Sequence, residues 1–300
     1  MSDAGRQREV AERLARPVRS TAYSPAARMA LDRLATLGRL NVPLALITPP
    51  GVDAVGWAAH AHLESPRQRG PFVVVDATSP AEQQLEHFRD PEQSPLRLAD
   101  GGTLLILDVA VLPPLVQEHI TQTLSRRAGT PARSAVLPLG LMVTLQRPLA
   151  ELVSAGRLLP SLARWIGESE LKVPGLADRT EDLRALVLDQ LARMGLRENG
   201  EPIGIDSGAL RLIAEHSWPA NELELSALLV RAASAAQGPK LTMADLAHAG
   251  LGTRADDVEK SFGGWGPKNE QDEGAIEASD HTPQPPLLRR ARPRRFIRSR

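Results

Sequence analysis

The 300-residue chain contains no cysteine. That excludes disulfides, thiol nucleophiles and thiolate metal sites. Aromatic residues make up only 3% while apolar residues reach 42%, so a sizeable core has to be assembled from Leu, Val, Ala and Ile. Basic and acidic residues balance at 36 each, so no global field draws the chain to nucleic acid or membrane, and any such attraction has to be local. No apolar run approaches the roughly 20 residues that a membrane span needs. The opening segment, MSDAGRQREVAERLAR, is charged and lacks the apolar stretch of a signal peptide. These absences give the expectation of a cytoplasmic protein.

What is present alternates. Residues 5–16 read as a short charged helix. Ser24 and Pro25 open a second helix over 24–38, with a hydroxyl to cap it and a proline at its first position, and Ala27, Leu31, Leu34 and Leu37 share an apolar face. Apolar runs at 42–48, 71–76, 103–108 and 137–144 read as strands, with a last short one at 171–173. Helices are expected at 54–63, 80–88, 113–128 and 149–155 between them. Strands without in/out alternation, separated by helices, predict an α/β fold with a parallel sheet covered on both faces. After Pro174 the pattern turns helical, with four helices at 181–194, 206–216, 220–236 and 242–249 and no strands between them. Residues 253–300 show no periodic apolar face and read as disordered.

Several fragments carry a family resemblance. Ser24-Pro25 resembles an "SPxM" start. His62, Ser65, Arg67 and Gly70-Pro71-Phe72-Val73 resemble "AIHxxSxRxxxPFV". Gly101-Gly102-Thr103-Leu104, Leu112-Pro113 and Gln117 resemble "GGTLFLDEIxxLPxxxQ". Leu152-Val153 with Gly156-Arg157, Pro174-Gly175-Leu176 with Arg179-Thr180-Glu181-Asp182, and Trp218-Pro219-Ala220-Asn221 with Glu224-Leu225 complete the set. In this order and spacing, residues 20–250 resemble the AAA+ module of bacterial sigma-54-dependent transcription activators. The resemblance implies a P-loop NTPase-like α/β subdomain over 20–173 and a helical lid over 174–251. A helical extension at 1–19 would precede them, and a tail at 252–300 would follow.

The resemblance also implies where nucleotide chemistry should sit. A P-loop needs backbone N–H groups to cradle phosphates and a Lys to neutralise them. Counting back from His62 without gaps places that loop on residues 48–55, TPPGVDAV. Only Gly51 matches, the Lys position falls on Ala54, and Pro49 and Pro50 have no N–H. Walker B needs an Asp and a Glu. One frame puts Leu107 and Asp108 there, and a one-residue slip puts Asp108 and Val109 there; Asp108 also reads as an ordinary strand-end carboxylate. Gln146 takes the sensor position and Leu223 that of the lid arginine. Leu159 and Trp165 take the arginine-finger positions, with Arg157 and Arg164 nearby as displaced candidates. The loop that carries "GAFTGA" in the activators is replaced by the short DPEQSPLRLA, and no helix-turn-helix pattern follows residue 251.

The first expectation is therefore a catalytically degenerate AAA+-like module, a pseudo-ATPase with no catalytic residue, metal or cofactor. It would act on a protein partner in transcription or signalling, such as a competent AAA+ homologue, without direct sigma-54 contact. The second is an ATP-binding regulator with divergent motifs, a weak ATPase holding ATP or ADP with Mg. The third rests on residues 289–300, which hold seven Arg and no acid. Arg289, Arg290, Arg292, Arg294 and Arg295 would contact nucleic acid or an acidic partner, or simply neutralise the acidic stretch at 256–280.

Overall fold

A computed structural model describes residues 22–78, 81–128, 137–194 and 203–251. The expectations for residues 5–16 and 253–300 lie outside these. Ser24 caps α1 (Pro25–Leu40) by accepting from Ala27 N–H. The α/β part continues with β1 (Leu44–Ile47), α2 (Ala54–Leu63), β2 (Phe72–Asp76), α3 (Ala81–Arg89), α4 (Pro95–Leu98) and β3 (Thr103–Leu107). It ends with α5 (Pro114–Arg127), β4 (Gly140–Leu145), α6 (Leu149–Ser154), α7 (Pro160–Ile166) and β5 (Glu170–Lys172). All five strands pair in parallel, in the order β2-β3-β4-β1-β5.

Neighbouring side chains of one strand enter different cores. Leu104 and Ile106 pack with Phe88, Leu96, Ile120 and Leu124 on one face. Leu105 packs with Leu34, Trp57 and Ala61 from α1 and α2 on the other. Burial on both faces explains why the strands read as unbroken apolar runs.

The fragments that carry the resemblance are mostly pegs in this framework. Arg67 donates from Nε to Asn41 Oδ1 at 3.0 Å and from its terminal nitrogens to the Pro138 and Leu137 carbonyls at 2.9 and 2.8 Å. Gln117 donates to the Leu112 and Arg157 carbonyls and accepts from Leu159 N–H, tying α5 to the α6–α7 connection. His62 is fully buried against Phe72, with Nδ1 2.8 Å from Thr103 Oγ1. Burial lowers its pKa and holds the ring neutral.

Residues 90–102 tuck against the core. Asp90 accepts from the Glu92 and Gln93 amides, Ser94 caps α4, and Leu96 and Ala99 are fully buried.

The helical part comprises α8 (Leu183–Arg193), α9 (Ser207–Glu215), α10 (Asn221–Ala235) and α11 (Met243–His248) around Trp218, Leu225 and Leu229. The expectation of no strands here is corrected. Two-residue strands β6 (Gly204–Ile205) and β7 (Lys240–Leu241) pair in parallel and bring the start of α9 beside the start of α11. Helices α4 and α7 are likewise additions to the expected set.

Candidate nucleotide-site pocket

The sheet's carboxyl edge is where ligands of open α/β folds bind. A cavity of about 220 Å³ lies there, lined by residues 48–55, Leu107, Asp108, Thr144 and Gln146. Four of the five positions expected from the sequence, Gly51, Ala54, Asp108 and Gln146, thus share one cavity. The fifth, Leu223, reaches the same loop through its backbone, donating its N–H to Gly51 O at 3.0 Å.

Two of the loop's amides are spent within it. Val52 N–H turns back to Pro49 O, and Ala54 N–H to Val52 O. Pro49 and Pro50 have no amide hydrogen to offer. A helix N-terminus attracts an anion because its first amides are unpaired and its dipole is positive there. At α2 that role falls to the protein itself, since Asp53 is the N-cap and its Oδ1 accepts from Gly56 N–H at 3.4 Å. Ala54 is the first residue of the helix and contributes only a methyl group.

Across the cavity, Asp108 follows the last residue of β3 in a left-handed conformation at φ 50°. Its N–H donates to Thr144 Oγ1 at 2.7 Å. Burial raises the pKa of its carboxyl, a hydrogen bond with Gln146 pulls it back, and the charge of Asp76 pushes it up again. A folded-state pKa above 3.8 means the ionised carboxylate destabilises the fold, fully at neutral pH and not at all below the unfolded value. Asn accepts the left-handed conformation more readily and carries no charge. Asp108→Asn is therefore expected to add about 1 kcal/mol at pH 7, a gain shrinking as pH falls toward 4. Urea midpoints at the two pH values check this, and a loss of stability at pH 7 would show that the carboxylate holds the site together.

The remaining expected positions are not gathered here. Arg157, in the α6–α7 connection, and Arg164, on α7, are exposed and line no part of the cavity. Arg289, Arg290, Arg292, Arg294 and Arg295 lie outside the described residues.

Sequence reading gave Arg179 no role beyond a motif match. Its guanidinium is buried, lies 5.2 Å from the centre of the Trp57 ring on α2, and pairs with Glu222 on α10. Burial lowers its pKa, while Asp182 and Asp53 act to hold the charge on. The one available signal was its place in a charged stretch, with Asp178, Glu181 and Asp182, at the head of the helical part.

Comparison with known proteins places this arrangement. Residues 177–261 match the AAA+ ATPase lid domain. The Nif-specific regulatory protein of Azotobacter vinelandii is 24% identical over 236 residues, covering 73% of this chain and 45% of that protein. The nitrogen assimilation regulatory protein NtrX of Azorhizobium caulinodans is 27% identical over 217 residues, 66% of this chain and 46% of that one. The solved structure of NtrX from Brucella abortus in complex with ATP superposes with a TM-score of 0.63 at 23% identity, over 86% of this chain and 63% of the other.

The chain has the AAA+ fold, carries a match to the AAA+ lid, and is similar to the AAA+ modules of sigma-54-dependent transcription activators. It spans about half the length of the curated relatives it matches.

An AAA+ module implies ATP and Mg²⁺, and the lining of this cavity does not suit the polyphosphate of the nucleotide. Among the described residues its only ionisable side chains are the carboxylates of Asp53 and Asp108, with no Lys, Arg or His to meet a polyphosphate. Its volume also falls below the roughly 300–1,000 Å³ usual for ligand pockets. No helix among the described residues is long and apolar enough to cross a membrane.

Proposed function

We propose that this AAA+ module works as a protein-interaction component of transcription regulation and does not turn over ATP. One observation carries the proposal. The loop after β1 has no cation, two of its positions are prolines with no amide hydrogen, and its helix start is capped by the chain's own Asp53. The partner is a protein, with a competent AAA+ homologue as the first candidate, because exposed Arg157 and Arg164 stay available to a neighbouring chain. Direct sigma-54 contact is not part of the proposal, since residues 90–102 form a short segment packed against the core.

Nucleotide titration tests it. A ligand at one hundred times its dissociation constant stabilises a protein by about 2.7 kcal/mol. For a domain of this size that raises the melting temperature by about 5–10 °C. At about 1 mM ATP with Mg²⁺ the expected rise is under about 1 °C, and a rise of several degrees would defeat the proposal. Mixing with a competent AAA+ homologue should change that homologue's assembly or ATPase rate. Failure of both effects would remove the suggested partner.

A further inference from the structure

We propose that the former phosphate loop now serves as a latch. It holds the lid closed on the α/β part in one conformation, independent of nucleotide. The idea extends the proposed function but stands on separate contacts.

The lid reaches the loop at several points within a few residues. Leu223 N–H donates to Gly51 O at 3.0 Å. The Asn221 side chain bridges both sides, donating from Nδ2 to Pro50 O at 2.8 Å and accepting from Leu176 N–H at 2.8 Å. Gly51, at φ 76°, lies so close beneath the turn before α10 that an added Cβ would sit 2.1 Å from Ala220 O. Gly175 also lies close, and its Cβ would sit 2.8 Å from Asn221 Oδ1. Beside this seam Asp182 accepts from Tyr23 N–H, Ser24 N–H and Ser24 Oγ at 2.5, 2.8 and 3.0 Å. Arg179 is held between Trp57 and Glu222.

These bonds use carbonyl oxygens of residues 50 and 51, which a phosphate would not use, and they satisfy the amide of buried Asn221. Opening the lid would leave the Pro50 and Gly51 carbonyls and the Asn221 amide to find water, and would strip the ring from a buried guanidinium. The closed form therefore needs no ligand to bridge the two parts.

The absence of cysteine makes the test direct. Glu118→Cys on α5 and Val230→Cys on α10, both exposed, carry spin labels in the full chain. Pulsed electron resonance should give one narrow distance, unchanged by about 1 mM ATP with Mg²⁺. Asn221→Gly removes the bridging side chain yet keeps the left-handed backbone at φ 48°, and should roughly double the width of the distribution. Gly51→Ala should do the same by forcing the turn away; if it fails to fold, Asn221→Gly carries the test alone. A broad distance in the parent, a distance that ATP shifts, or an unchanged width in Asn221→Gly would each overturn the latch. A raised melting temperature with ATP but an unmoved distance would defeat only the reading of the site as nucleotide-free.

Discussion

Gly102→Ala is expected to cost about 3–5 kcal/mol of stability, while Gly101→Ala, one residue away, costs about 1–2 kcal/mol. At Gly102 a Cβ would fall 1.9 Å from Pro71 O and 2.6 Å from the Pro71 ring and nitrogen. Those atoms are fixed. Pro71 O accepts from Thr103 N–H at 2.8 Å, Gly102 O accepts from Gly140 N–H at 2.8 Å, and Gly102 N–H donates to Ala99 O at 2.9 Å. Relief of the clash has to pull β3 away from β2 or β4, which the register from Phe72↔Thr103 to Asp76↔Leu107 does not allow piecemeal. Gly101, by contrast, has a positive φ of 72° and open space where its Cβ would point, so Ala meets only the left-handed penalty. Urea denaturation followed by circular dichroism measures both. Equal losses would show that the close approach at Gly102 is absorbed by relaxation. The two glycines also separate fold from chemistry, because neither lines the cavity at the strand ends.

The sheet was legible because strands β1 to β4 pack on both faces, which turns 44–47, 72–75 and 104–107 into continuous apolar runs. The pocket was legible in part. Counting from His62 brought Gly51 and Ala54 to the start of α2, and strand ends brought Asp108 and Gln146 opposite them. Helix α7 was missed because Leu159 provides no side-chain cap and the helix has only seven residues. The β6–β7 pair was missed because two residues leave no period to detect, and their partner lies more than thirty positions away. The lid contact was unreadable for a different reason. Leu223 contributes a backbone N–H and Gly51 a backbone carbonyl, and a reading of side chains registers neither. The resemblance sets Leu223 at the position of the lid arginine, and the residues alone assign Asp53 no part. In the fold the first is a docking point and the second a helix cap.

Arg179→Met is expected to cost about 3–5 kcal/mol, and Arg179→Met combined with Glu222→Met clearly less than the sum of the two single changes. The guanidinium is almost entirely buried, as is the Glu222 carboxylate it meets, with side-chain exposures of 5% and 10%. Neither is fully served by hydrogen bonds. Arg179 Nε and Glu222 Oε2 have no partner among the described residues. A pair in this state contributes little net stability while whole, because desolvation offsets attraction. Removing one member is different, since the survivor stays buried and uncompensated. Without Arg179, Glu222 loses its countercharge and Asp182 and Asp53 lose a neighbouring one. The methionine thioether can still fill the space against Trp57, so packing loss is small and the electrostatic cost dominates. In the double variant no charge is stranded, and most of the loss should return. Urea midpoints of the four proteins in a double-mutant cycle give the coupling. A loss below about 1 kcal/mol for Arg179→Met, or simple additivity in the cycle, would mean that water reaches the seam and that the lid is not held shut there.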